Sequence, residues 1–69
     1  MDYYDVVRRN IKKYRKEKGI TQEKLAELTG LSLNFISKIE SIKMHKCFSL
    51  ETLGRIADAL NISIKDLFN

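Results

Sequence analysis

The sequence has almost none of the residues that cross-link small secreted domains through disulfides or that interrupt regular secondary structure. It contains one Cys, no Pro, no Trp and only three Gly in 69 residues. One thiol cannot form an intramolecular disulfide, so a disulfide-rich secreted scaffold is excluded and a reducing compartment is indicated. With few Gly and no Pro, we expect few long loops. The length predicts a single domain over residues 1–69, whose small core depends on apolar packing.

Long hydrophobic runs are also missing. No apolar run approaches the roughly 20 residues that a membrane span requires, and the first ten residues lack the apolar block of a signal peptide. We therefore expect a soluble, cytoplasmic protein with no membrane partner. The charges are unequal, because 13 Lys and Arg against nine Asp and Glu give a formal net charge of +4. This excess favours a polyanionic partner.

Apolar residues recur at helical spacing along most of the chain, and no useful stretch alternates with the period of a strand. The pattern predicts an all-α fold, a compact domain of five helices, the first of which runs from about residue 4 to 18. Helix N-caps are predicted at Thr21, Ser32, Ser49 and Ser63. Leu28 and Leu50 are expected to face inward, and Arg8 is expected on a solvated face.

Residues 22–40 predict two short helices joined by a tight turn, a helix-turn-helix. Ala26 is small enough for the two helices to cross, and Gly30 permits the backbone conformation of the turn. Ile36 and Ile39 would anchor the second helix of this pair on the core. That arrangement leaves four residues on its solvent face, where they can contact base edges in a major groove: Leu33, Asn34, Ser37 and Lys38.

Three segments of the chain resemble the phage repressor/Cro-type helix-turn-helix transcription regulators, also called the xenobiotic-response-element class. They read GITQEKLAELTGLS, FISKIE and SLETLGRIADALNISIKDLF, and the resemblance extends from about residue 9 to 68. It implies a repressor-like DNA-binding domain whose third helix enters the major groove of double-stranded DNA. It also implies a homodimer on a two-fold symmetric operator, acting as a transcriptional regulator, most simply a repressor.

The resemblance assigns roles to individual positions. Base reading falls to Leu33, Asn34, Ser37 and Lys38. Phosphate contact falls to Gln22, Ser32, Lys43, His45 and Lys46. Phe35 is assigned a contact either to the DNA backbone or to the edge of the domain itself. Arg15 and Glu40 match an ion pair between the first and third helices, and the dimer interface would use exposed members of Ile64, Leu67 and Phe68. The loop over residues 41–48 departs from the family, because it lacks the usual Pro and is slightly longer.

Other functions remain open alternatives. A second hypothesis is a protein-interaction module, an antitoxin-like or accessory protein whose main task is to bind a protein partner and whose DNA binding is secondary. RNA binding is disfavoured, because aromatic residues do not cluster on the predicted exposed face. No catalytic set or glycine-rich phosphate loop is visible, so we expect no enzyme, no cofactor and no small-molecule ligand. His45 and Cys47 are too few ligands for zinc, and Cys47 is interpreted as a packed residue.

Overall fold

The computed structural model describes residues 2–41 and 48–69. Within these ranges the chain is all-helical. It contains four α-helices, α1 (Tyr3–Glu17), α2 (Gln22–Thr29), α3 (Leu33–Glu40) and α4 (Leu50–Ala59), and a terminal 3-10 helix (Ile64–Phe68). The predicted all-α fold is therefore confirmed, but the fifth predicted helix is a short 3-10 helix and not an α-helix. The backbone N–H of Asp66 donates to the carbonyl of Ser63, three residues earlier, which is the tighter spacing of a 3-10 turn.

Side-chain caps begin all four α-helices. The side chains of Thr21, Ser32 and Ser49 each accept a hydrogen bond from a backbone N–H in the following turn, which confirms three of the four predicted N-caps. At Ser63 the backbone N–H donates to the carboxylate of Asp66 at 3.0 Å. Asp2 caps α1 in the same way, so that helix begins one residue earlier than expected. Gly30 ends α2 in the left-handed conformation, with a φ of 74°.

A single hydrophobic core lies among the helices. Its buried members are Val7, Ile11, Leu25, Ala26, Ile36, Ile39, Leu53, Ile56, Ala57, Leu60 and Leu67. Two predicted core residues are absent from this set, because Leu28 is 49% exposed and Leu50 is 72% exposed. On α2 the inward position belongs instead to Thr29, whose hydroxyl donates to the carbonyl of Leu25 at 2.8 Å. Leu50 lies in the first turn of α4, beyond the edge of the core.

The first and last elements of the domain pack against each other. The side-chain amide of Asn10 in α1 donates to the carbonyl of Leu67 at 2.8 Å.

Arg8, expected on a solvated face, is buried with 4% of its surface exposed. It pairs with Asp5 one turn earlier, at 2.7 Å. Among the described residues, no helix combines the length and apolar character needed to cross a bilayer.

Candidate functional site

The turn between α2 and α3 is held by hydrogen bonds from residues on both sides. The N–H of Gly30 donates to the carbonyl of Ala26 at 2.9 Å. The hydroxyl of Thr29 accepts from the N–H of Leu31 at 3.2 Å while donating to the end of α2. Ser32 then caps α3 by accepting from the N–H of Phe35 at 3.0 Å. The sequence predicted the roles of Gly30 and Ser32, but it did not single out Thr29.

Helix α3 presents one face to the core and the other to solvent. Ile36 and Ile39 are 0% and 2% exposed, which fixes the helix on the domain. The four predicted base-reading residues all lie on the exposed side, and we call them the recognition surface: Leu33, Asn34, Ser37 and Lys38. The prediction of which side chains α3 exposes is therefore confirmed.

A recess of about 610 Å³ lies between the start of α2 and the exposed face of α3. Three members of the recognition surface line it, together with four residues from α1 and α2: Arg15, Thr21, Gln22, Glu23, Leu33, Asn34 and Ser37. Lys38 is outside this lining. The recess brings the first turn of α2 beside the side chains that face outward from α3. Glu23 is an exposed acid at this place; the sequence predicts it as an acid in the first turn of α2 but not its position beside α3.

The predicted ion pair between Arg15 and Glu40 is present and is bidentate. Arg15 Nε lies 2.7 Å from Glu40 Oε2, and Arg15 Nη2 lies 3.0 Å from Glu40 Oε1. The remaining terminal nitrogen, Nη1, donates to the carbonyl of Ile20 at 2.8 Å. Both charged side chains are almost fully buried, so each has its charge neutralised by a partner rather than by water.

Gln22 extends this ion pair to the first turn of α2. Its Nε2 donates to Glu40 Oε1 at 3.1 Å. A carboxylate can only accept, so the Gln22 amide must turn its NH₂ group toward Glu40. The second N–H of that group is not used by this bond. The network therefore fixes the end of α1, the start of α2 and the end of α3 relative to one another.

The other predicted phosphate-binding residues fall in three different situations. The Ser32 hydroxyl is exposed but is engaged as the α3 cap. Phe35 is half-buried and packs against the core, which matches the edge-of-domain role given as its alternative. Lys43, His45 and Lys46 lie outside the described residues, as does Cys47. Among the described residues, no three His, Cys, Asp or Glu side chains are grouped as metal ligands would be.

The predicted dimer residues are not equally accessible. Leu67 is 0% exposed, so it belongs to the core and cannot contact a partner. Phe68 is 41% exposed, and Ile64 is half-buried. Phe68 also borders an apolar groove of about 340 Å³, which we call the aromatic groove: Tyr3, Tyr4, Val7, Phe48, Leu50, Leu53 and Phe68. Tyr4 and Phe48 pack edge to face in it, with ring centroids 5.3 Å apart.

Comparison with known proteins places these features in a family. Residues 11–67 match the sequence model described as helix-turn-helix. Control protein C.SmaI of Serratia marcescens is 34% identical over 67 residues, which cover 97% of this chain and 77% of that protein. The transcriptional regulator SinR of Bacillus licheniformis is 33% identical over 64 residues, covering 93% of this chain but only 57% of SinR. A crystal structure of SinR in complex with DNA superposes with a TM-score of 0.81 at 32% identity, covering 91% of this chain and 98% of that one.

Proposed function

Because this chain belongs to the helix-turn-helix family, we propose that it is a transcriptional regulator that binds double-stranded DNA through α3. The observation that carries the proposal is the recognition surface. Its four side chains are exposed together, while Ile36 and Ile39 hold the opposite face of the helix in the core. An α-helix with its side chains is about 10–12 Å wide, and the major groove is about 12 Å wide, so α3 can enter it.

The chemistry of the recognition surface suggests how bases are read. Asn34 can form two hydrogen bonds with adenine, and Lys38 can donate to O6 and N7 of guanine. Leu33, at the start of α3, can pack against a thymine methyl group but forms no side-chain hydrogen bond. Ser37 is short and both donates and accepts, so it should discriminate least among bases. Direct readout would therefore depend mainly on Asn34 and Lys38.

Phosphate contacts would position α3 in the groove. The N-terminus of α2 carries a partial positive charge, and Gln22 lies at its first residue with one side-chain N–H not used by Glu40. The N-terminus of α3, capped by Ser32, offers backbone N–H groups of the same kind. We include Lys43, His45 and Lys46 in the proposed phosphate contacts because they follow α3 in the chain and carry or can carry positive charge.

Selection of bound duplexes from a random DNA library tests the function directly. We expect a preferred sequence, and we expect Lys38→Ala to relax the preference at one G·C pair per half-site. The loss should be about 1–3 kcal/mol on the preferred operator and much smaller on unrelated DNA. Lys65→Ala is the matched control, because it removes the same charge from the terminal 3-10 helix.

Two results would change this proposal. An equal loss on every sequence would make Lys38 a phosphate contact and leave Asn34 as the main reader. A wild-type protein that binds duplex DNA with no preference at any position would contradict sequence-specific regulation. The antitoxin-like or accessory role, with a protein partner, would then be the better description.

We further propose that the regulator acts as a homodimer, because one helix-turn-helix makes few base contacts. Four large side chains around the aromatic groove are between 41% and 72% exposed: Tyr3, Tyr4, Leu50 and Phe68. Such an exposed apolar patch favours association with another protein surface. We expect a dimer in sedimentation at micromolar concentration, and Phe68→Ser should weaken it.

Leu28→Ser is the control for the dimer, since Leu28 is another exposed apolar residue outside the aromatic groove. It should leave the sedimentation coefficient unchanged. A protein that sediments as a monomer both alone and on its operator would refute the dimer. Equal effects of the two substitutions would place the contact elsewhere than at Phe68.

A further inference from the structure

One carboxylate lies on the surface that is proposed to face DNA. Glu23 is exposed and lines the recess beside Leu33, Asn34 and Ser37. Within residues 2–41 and 48–69, no ion pair involves its side chain. The other acids nearby differ in this respect, because Glu40 is buried against Arg15 and Glu27 pairs with Lys24 at 3.5 Å. Glu23 therefore brings a negative charge without an ion-pair partner to a surface where the ligand would also be negative.

The carboxylate of Glu23 is electrostatically favourable in the isolated protein but unfavourable in a complex with DNA. It lies in the first turn of α2, where the partial positive charge at the helix N-terminus stabilises an acidic side chain. The same N-terminus would attract a phosphate group. The carboxylate and the phosphate would then compete for one electrostatic site. Removal of the carboxylate should make the site more attractive to DNA without any new contact.

The position of Glu23 on α2 favours an effect on the DNA backbone rather than on bases. In helix-turn-helix proteins the helix before the recognition helix crosses the backbone, and only the recognition helix enters the groove deeply. Glu23 follows Thr21 and Gln22, the cap and first residue of α2. A carboxylate located there meets phosphates, which are the same in every sequence.

We propose that Glu23 restrains the affinity of the protein for duplex DNA of any sequence, through repulsion between its carboxylate and a backbone phosphate. This inference rests on the proposed function. Phosphate attraction supplies most of non-specific binding, and the many non-specific sites of a genome compete with an operator. By lowering the attraction that all sequences share, Glu23 limits that competition while the recognition surface keeps its base preference.

The test compares Glu23→Gln with Glu27→Gln, two substitutions on the same helix that each remove one negative charge. Binding is measured by fluorescence anisotropy on the selected operator and on an unrelated duplex, at several salt concentrations. Glu23→Gln should raise affinity for both duplexes by roughly fivefold per bound subunit at low salt, as expected for unit charges a few ångströms apart near water. The gain should shrink as salt rises, and Glu27→Gln should raise affinity by less than about twofold.

Four outcomes would overturn the inference, and they differ from one another. A loss of affinity on the operator alone would make Glu23 a base reader. Equal gains for Glu23→Gln and Glu27→Gln would show that only the total charge matters. Failure of the wild-type protein to bind either duplex at low salt would remove the proposed function and the inference together. Wild-type binding with no change in Glu23→Gln would remove the inference alone.

Discussion

Two arginines on the same face of α1 are both buried, yet their surroundings differ. Arg15 is 8% exposed and Arg8, two turns earlier, is 4% exposed. Arg15 donates three hydrogen bonds to groups in other parts of the chain, two to Glu40 and one to the carbonyl of Ile20. Arg8 has an ion pair with Asp5 on its own helix, and its Nε has no hydrogen-bond partner among the described residues.

The difference shows that burial alone does not give a charged side chain a structural role. Arg15 joins α1 to α3 and to the segment before α2, so its loss would disturb the geometry of the recognition surface. Arg8 joins two positions that α1 already holds together. Its long apolar stem can pack on the core while its charge contributes little. The contrast predicts very different consequences for the same kind of substitution.

The larger effect is expected at Arg15. Arg15→Ala leaves the buried carboxylate of Glu40 with the neutral Gln22 amide as its one partner among residues 2–41 and 48–69, and an unpaired buried charge is strongly destabilising. We expect the free energy of unfolding to fall by about 3 kcal/mol, a large part of the stability of a small domain. Urea denaturation at neutral pH measures it.

A second variant separates loss of the pair from loss of packing. In the double variant Arg15→Met/Glu40→Met, both charges are replaced by apolar side chains. Such replacements are often neutral for stability, so most of the loss should be recovered. An Arg15→Ala protein with an unchanged denaturation midpoint would instead show that the ion pair adds nothing to stability.

The smaller effect is expected at Arg8. Arg8→Met keeps an unbranched apolar side chain and removes a charge whose partner, Asp5, is partly solvated. Exchange of a poorly satisfied buried charge for an apolar group should change the free energy of unfolding by less than about 1 kcal/mol. Operator affinity, measured on the same preparation, should stay within about twofold, because Arg8 pairs with Asp5 on its own helix and does not line the recess beside the recognition surface. A loss as large as that of Arg15→Ala would abolish the distinction between the two arginines.

The sequence predicted the parts of the fold that depend on short-range signals. Thr21, Ser32 and Ser49 cap their helices as expected, because a cap requires only one side chain and the next turn of backbone. Gly30 adopts the left-handed conformation at the end of α2, which also depends only on the local backbone. The exposed face of α3 was also predicted correctly, since Ile36 and Ile39 fix the orientation of the helix.

The errors concern residues whose burial depends on distant elements. Leu50 has the spacing of a core residue, but the core ends before the first turn of α4 reaches it. Leu67 is covered where the terminal 3-10 helix packs against α1, which helical periodicity cannot reveal. The burial of Arg8 was likewise not predicted. Glu23 was missed for another reason. An acid in the first turn of a helix is so common that its position beside the recognition surface could be seen only in three dimensions.

The hydrogen bond from Asn10 to the carbonyl of Leu67 has a consequence for the order of folding. It connects residues 57 positions apart, so the chain must close a long loop before this contact stabilises anything. The turn between α2 and α3, by contrast, uses only neighbouring residues and can form early. We therefore expect Phe68 to reach the aromatic groove only after this loop has closed. We expect self-association to begin only in chains whose core is already complete.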